Sequence, residues 1–338
     1  MIDSVKLKLQ IDIPEVYFSE DWKRDDDDFG DSSFYRRVKK VHFNYYTSSR
    51  TLHIKGKILL LLHNTRVQNF DDIYGADRES FLDEINAAIN GLFPYPIQGM
   101  DIRDFTVTNI DYCFNVETSH VKEYLEFLAQ AFEATNNGSR VNFTAEKDLE
   151  GSVYVKTAAQ YEKKENRNYT LNFYNKADWI RKQQEKGDNI SREDQEWAEN
   201  KLRLEVKVGD QLVNRIVEDC NISKKFSDMF DFKIAFVTIL RIYKLVFKGN
   251  EAADYYSHRE AKKAVAGLPG LQTRARTNAL KTLEEISKNH KITPFKRRKI
   301  LDLGIYPWAF LDKRGDLDYL ENPMQLILRK LESLGVLP

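Results

Sequence analysis

Over the first 210 residues or so, apolar and polar positions alternate with a period of two, the mark of strands that bury one face and wet the other. The pattern predicts strands at 2–11, 34–46, 50–62, 105–116, 141–146, 152–158, 169–176 and 201–208. Two stretches break it with helical spacing. Over 78–92, Phe81, Leu82, Ile85, Ala88, Ile89 and Leu92 share a face; over 120–134, after Ser119 as cap, Val121, Tyr124, Leu125, Leu128 and Phe132 do the same. Beyond residue 210 the period becomes 3.6 and predicts helices at 211–219, 224–248, 251–265, 272–289, 294–303 and 323–334, the last two opening on Pro294 and Pro323. The expected fold class is α+β: a largely antiparallel sheet with flanking helices over residues 1–210, then an all-helical region over 211–338.

Composition narrows the class. With 42% hydrophobic and 31% charged residues the chain reads as an ordinary globular protein. Its longest apolar tract, 226–247, carries Asp228, Asp231, Lys233, Arg241 and Lys244, which predicts a buried helix and no membrane partner. The start of the chain lacks the pattern of a secretory signal, and Cys113 and Cys220 stand apart from any CxxC motif. A cytoplasmic protein without disulfides or structural zinc is expected. Asp25 to Asp28 form an acidic run that reads as a solvated loop.

The net charge is +0, which at first argues against a nucleic-acid partner. The charge is unevenly spread, however. Residues 259–299 hold twelve Lys or Arg against three Glu, a local +9. Arg274, Arg276 and the run Lys296, Arg297, Arg298 and Lys299 sit near predicted helix starts, where they suit contact with DNA phosphates. A solvated basic helical surface is the plain alternative.

Three strands merit a face-by-face reading, because residues two apart share a side. In 171–176, Tyr174 and Lys176 point away from Leu171 and Phe173; in 202–208, Arg203, Glu205 and Lys207 lie opposite Leu202, Leu204, Val206 and Val208; in 109–114, Asp111 lies opposite Ile110, Tyr112 and Phe114. If these strands are neighbours, one sheet face gathers a phenol, three cations and two carboxylates. Such a set suits phosphoryl transfer from a phosphodiester to tyrosine. At its ordinary pKa near 10 a tyrosine needs help from a cation. Asp111 and Glu205 offer oxygen ligands for Mg²⁺ or Mn²⁺, while Arg203, Lys176 and Lys207 can neutralise phosphate charge. A solvent-facing stripe of cross-strand ion pairs would give the same spacing.

The opening Met-Ile-Asp before an alternating strand, the segment Val107 to Phe114, the segment Leu171 to Lys176 and the strand Leu202 to Val206 resemble, in order and spacing, the rolling-circle replication initiators of filamentous phages, of gene II/X type. The element Phe173-Tyr174-Asn175-Lys176 ahead of an Arg-x-Glu strand is also similar to the initiators of Gram-positive rolling-circle plasmids and to the relaxases of conjugative elements. The resemblance implies a metal-dependent, site-specific endonuclease and strand transferase that nicks an origin through a phosphotyrosine. It places the nucleophile on Tyr174, its lysine on Lys176 and the acidic metal positions on Asp111 and Glu205; Asp3 matches the family's opening, with a structural role. Origin DNA, host helicase and polymerase are the implied partners, and an oligomer is compatible with the chemistry. No His-x-His of the HUH endonuclease class occurs, so His42, His53 or His63 is left as a candidate to complete the metal site. A mobile-element relaxase and a non-catalytic DNA-binding replication protein remain as alternatives.

Overall fold

The computed structural model describes residues 1–26, 32–65, 67–135, 143–147, 152–157, 169–247, 254–288, 294–308 and 319–337. Ten strands form one sheet: β1 (Ile2–Gln10), β2 (Lys23–Asp26), β3 (Ser32–Val38), β4 (Val41–Tyr46), β5 (Thr51–Gly56), β6 (Thr106–Glu117), β7 (Phe143–Lys147), β8 (Val153–Thr157), β9 (Tyr169–Asn175) and β10 (Lys201–Val208). Their spatial order is β2-β3-β4-β5-β1-β6-β10-β9-β8-β7, and the pairings are antiparallel. Period-two alternation has a direct structural counterpart: Val5, Leu7, Phe43, Ile54, Ile110, Leu204 and Phe173 all point into one core.

Twelve α-helices accompany the strands among the described residues: α1 (Phe70–Ile73), α2 (Arg78–Asn90), α3 (Val121–Thr135), α4 (Lys176–Glu185), α5 (Arg192–Ala198), α6 (Asp210–Cys220), α7 (Phe226–Met229), α8 (Phe232–Phe247), α9 (His258–Gly267), α10 (Thr273–Lys288), α11 (Pro294–Leu301) and α12 (Pro323–Ser333). Helix α8 lays Ala235, Ile239, Ile242, Val246 and Phe247 on the sheet, and α12 adds Met324, Ile327 and Leu331. Each large apolar side chain so buried contributes roughly 1.5–3 kcal/mol.

The expected boundary at residue 210 does not coincide with a break in the core. The helices of 211–247 and α12 share the core of the sheet, because their apolar stripes have no other partner. A second core of Ala261, Val265, Ala279, Leu283, Ile300 and Ile305 belongs to a small module between α8 and α12. That module is not all-helical. It contains β11 (Asp254–Ser257), β12 (Ile305–Trp308) and β13 (Tyr319–Leu320), with β11 central, parallel to β12 and antiparallel to β13. Of the helix expected over 251–265, residues 251–253 lie outside the described residues and the rest is a short strand followed by α9, whose first turn Ser257 caps by accepting from the Glu260 amide.

Two further expectations change. The strand over 34–46 is a hairpin, β3 and β4, turning at Lys39, whose φ is 54°. Asp25 and Asp26 belong to strand β2, where Asp26 pairs with Arg24 at 2.7 Å; Asp27 and Asp28 lie outside the described residues. No described helix is long and apolar enough to cross a membrane.

Candidate functional site

The register of three central strands builds the site. Arg203 on β10 stands between Tyr174 on β9 and Asn115 on β6; Glu205 stands between Asn172 and Cys113; Lys207 stands between Thr170 and Asp111. The sheet thus brings together Tyr174, Arg203, Glu205, Lys207 and Asp111 on one face, opposite the core. Lys176 joins them by a different route. The strand ends at Asn175, whose side chain caps α4 by accepting from the Ala177 amide at 2.9 Å, and Lys176 is the first helical residue. Its Nζ lies 5.6 Å from the centre of the Tyr174 ring and 4.3 Å from that of Trp179.

At the Tyr174 end the face is covered. Tyr174 is 6% exposed, Lys176 1% and Arg203 0%. Val67, Ile180, Ile190 and Ala198, with Trp179 and Trp197, pack there as a small separate apolar cluster, joining α4, α5 and the segment before α1. Within this enclosure Tyr174 Oη donates to Glu205 Oε2 at 3.2 Å, and Arg203 Nε donates to the same oxygen at 3.2 Å. Asn172 Nδ2 donates to Glu205 Oε1 at 3.2 Å. The remaining guanidinium nitrogens of Arg203 reach Asn69 Oδ1 at 2.8 Å and Asp3 Oδ1 at 2.7 Å. Lys57 adds a second cation 3.7 Å from Asp3 and donates to the carbonyl of Gln68 at 2.7 Å.

The electrostatics follow from burial and from these pairs. Burial pushes the Tyr174 phenol well above its ordinary value; Arg203 opposes that push, and Glu205 and Asp3 add to it. Burial together with Arg203 and Lys57 pushes the Lys176 amine well down. Burial also works against an Asp3 carboxylate, but Arg203, Lys57 and Lys176 outweigh it and hold its pKa below the usual carboxylate range. Asp111 lies on the opposite side of this balance: burial first, then the charge of Glu205, pushes it up to about 7, although Ser4 Oγ donates to it at 2.5 Å.

Asp111 and Lys207 open onto a cleft of about 360 Å³ whose walls include Ser4, Lys6, Lys55, Asn109 and Thr170. Lys207 is half exposed, with Nζ 4.0 Å from Glu205 Oε1. The cation set expected for phosphate is therefore divided. Lys207 faces the cleft, whereas Arg203 is sealed in, where it orients Glu205 and Asp3 and offers nothing to a phosphate in this state.

For a divalent cation, Asp111 and Glu205 are oxygen donors whose mutual repulsion a cation would relieve. Beside Glu205 lies the buried Oδ1 of Asn172, without a hydrogen-bond partner among the described residues. The two carboxylates are oxygen donors of the hard type that Mg²⁺ or Mn²⁺ takes, while the Asn172 oxygen lies across β10 from Asp111. Among the described residues, no group of three His, Cys, Asp or Glu is gathered as for a metal. The candidate histidines do not fill that gap. His63 pairs with Tyr74 Oη at 2.9 Å, and His42 and His53 lie on β4 and β5, separated from β6 by β1.

Asn69, Lys57, Asn172 and Ser4 join the site without a signal in the motifs. Asn172 was within reach, being two residues from Tyr174 on the same strand face. Asn69 and Lys57 come from a segment more than a hundred residues away, and no spacing points to them.

The basic residues after 258 lie in the module. Arg274 and Lys296 are exposed, Lys296 paired with Glu285 at 2.6 Å, and Lys299 is exposed on α11. Arg276 is half-buried and donates to the Leu268 carbonyl at 2.9 Å, tying α10 to the turn after α9. The side chains of Arg297 and Arg298 lie outside the described residues.

Among solved structures the chain is similar to a rolling circle replication initiator protein from Geobacillus stearothermophilus, at 12% identity and a TM-score of 0.31, over 65% of this chain and 77% of that one. A comparison with the curated proteins gave no match. The family described as the N-terminal part of the phage replication-associated protein of gene II type matches residues 48–230, a span that includes β6, β9 and β10 and hence Asp111, Tyr174, Arg203 and Glu205. With more than half of its length matched, the chain belongs to this family of phage replication-associated proteins.

Proposed function

We propose that this protein starts rolling-circle DNA replication by nicking one strand at an origin, with Tyr174 as nucleophile. The observation that supports the reading is the buried set Tyr174, Glu205 and Arg203, in which the phenol already donates to a carboxylate fixed by a guanidinium. The Tyr174 oxygen forms a bond to phosphorus as the phosphorus bond to a sugar oxygen breaks. The phenol proton passes to Glu205, and the displaced sugar oxygen takes a proton from water. Glu205 thus acts as general base across 3.2 Å, a step that a phenol with a raised pKa requires. Arg203 and Asp3 are positioning residues that hold Glu205 in line. Lys176 lies at the ring of Tyr174, where its protonated form would offset the charge that develops on the oxygen. Asp111 and Glu205 would hold a divalent cation, which would supply Lewis-acid polarisation of the scissile phosphate. Because one phosphodiester replaces another, the nick can later be rejoined. The basic module of residues 254–320 would serve to recognise or place the duplex around the origin.

The burial of Tyr174 favours a second reading, a DNA-binding replication protein whose tyrosine is structural. One experiment separates the two. The protein is incubated with supercoiled circular DNA of its own replicon and Mn²⁺, and the products are run under denaturing conditions. A covalent protein–DNA adduct that disappears in Tyr174→Phe supports the nicking reading. Absence of any adduct, or an adduct unchanged in Tyr174→Phe, gives the second.

A further inference from the structure

The proposed nicking chemistry uses β6, β10 and β9 of a ten-stranded sheet, at the part of the face covered by α4 and α5. Away from that part, the face opposite the core is exposed. It runs from the cleft at Lys207 and Asp111 across β6, β1, β5, β4 and β3. The register places Lys6 opposite both Asn109 and Lys55, Lys8 opposite His53, His53 opposite Asn44, Asn44 opposite Tyr35, and His42 opposite both Lys55 and Arg37. Lys6, Lys8, Arg37, His42 and Lys55 are exposed. Tyr46, 42% exposed, meets the His53 ring edge-on at 5.3 Å, and Tyr35 is 41% exposed.

Two properties of this face are informative. First, over β3, β4, β5 and the Lys6–Lys8 part of β1 its charge has one sign, with Asp25 of the edge strand β2 beside it. On β3, β4, β5 and β1 the alternation sends Arg37, Lys55, Lys6 and Lys8 to this side, and the acidic residues of β1 and β6 that share it, Asp3, Asp111 and Glu117, sit at the site end or beyond it. Second, cations alternate with rings. Burial and the charge of Lys8 hold His53 below its ordinary pKa, so at neutral pH it presents a neutral ring. A protein selected only for solubility has no need to expose two tyrosines on a cationic sheet; a strand whose phosphates need neutralising and whose bases offer flat faces fits both features. From β10 to β3 is five strand spacings, on the order of 24 Å, enough for about four nucleotides.

We propose that this open sheet face is a track for single-stranded DNA, bound through Lys6, Lys8, Arg37 and Lys55 with Tyr46 and Tyr35 as stacking platforms, leading into the cleft at Lys207. The inference deepens the nicking reading but needs no chemistry to be tested.

The probe is a fluorescein-labelled oligothymidine of about 12 nucleotides, titrated with the full-length protein at several salt concentrations without divalent metal and followed by anisotropy. For the combined variant Lys6→Ala, Lys8→Ala and Lys55→Ala, the slope of log affinity against log salt should shrink by about 2, since each released phosphate contact contributes about 0.7. Tyr46→Ala should weaken binding about tenfold with the slope unchanged. Neutralising Arg274, Lys281 and Lys296 in the module should leave this short strand's binding as it was. Thermal unfolding of each variant confirms the fold, and Lys55→Glu alone, a single exposed change, should lower affinity in the same direction. An unchanged salt slope in the lysine variant overturns the track. So does equal affinity for a duplex of the same length together with no effect of Tyr46→Ala, which would make the face a duplex platform. Failure to form the phosphotyrosine adduct with binding intact would remove the nicking reading and leave the track standing.

Discussion

At Tyr174 the protein holds a phenol in its protonated form by burying it and giving it a carboxylate to donate to. In the proposed reaction, nucleophilic use of that oxygen therefore depends on Glu205 accepting the proton at the moment of attack. Glu205→Gln keeps the size and one acceptor oxygen for Tyr174 and Arg203, gives up the bond from Asn172 Nδ2 and removes the base; it should lower adduct formation about 10²- to 10⁴-fold without changing oligonucleotide affinity, measured by denaturing gel and anisotropy. Asp111 gives a pH prediction. Its folded-state pKa, about 7, lies above the ordinary 3.8, so the fold binds this proton more tightly than the unfolded chain does. The stability it contributes is full below about pH 4 and is lost as pH rises towards 7, by up to about 4 kcal/mol. In metal-free buffer, Asp111→Asn should flatten the melting temperature across that interval, and Mn²⁺ should raise the melting temperature at about pH 8 in the parent more than in the variant. The facing of these residues was legible because period two fixes which side a strand residue takes. Their enclosure was not, because Asn69, Lys57 and the cluster around Val67 arrive from sequence-distant segments that packing alone brings near.

Among the elements, β5 shows how narrowly the sheet is fitted. Gly56 closes the strand at φ 139°, and a Cβ there would stand 2.5 Å from the carbonyl oxygen of Lys40. Gly56→Ala should cost about 2 kcal/mol or more in denaturant unfolding, since both the backbone conformation and the contact oppose it. The long strands and the amphipathic helices follow their periods, as α2, α8 and β10 illustrate. The hairpin between β3 and β4 escaped because its turn, Val38-Lys39-Lys40-Val41, holds no glycine, proline or asparagine; Lys39 takes the left-handed conformation without the usual residue. Strand β11 escaped for another reason. Four residues running directly into α9 carry too little pattern to mark a change of period.

For the whole molecule, the division into a sheet body with helices packed on it and a basic module with its own core places the candidate chemistry and the strongest positive charge in different units. Leu283→Ala, in the module core, should cost about 2–5 kcal/mol of module stability while leaving the adduct yield on a short single strand unchanged; Ile239→Ala, under the sheet, should lower the stability of the sheet body and the adduct yield with it, as read by calorimetry and adduct assay. The zero net charge of the chain concealed this division, and the change of period near residue 210 pointed to a boundary that the shared core of α6, α8 and α12 does not respect.

The module leaves and rejoins the body at one point. Tyr255 of β11 pairs with Leu320 of β13, Asp254 accepts from both Tyr319 Oη and the Asn322 amide, and Tyr255 is anchored below by Tyr243 Oη at 2.8 Å. An insertion whose two ends are already fastened together can be exchanged for another of different length or surface without reshaping the host. On the function proposed above, the origin sequence would thereby be free to diverge while the candidate nicking face stayed the same.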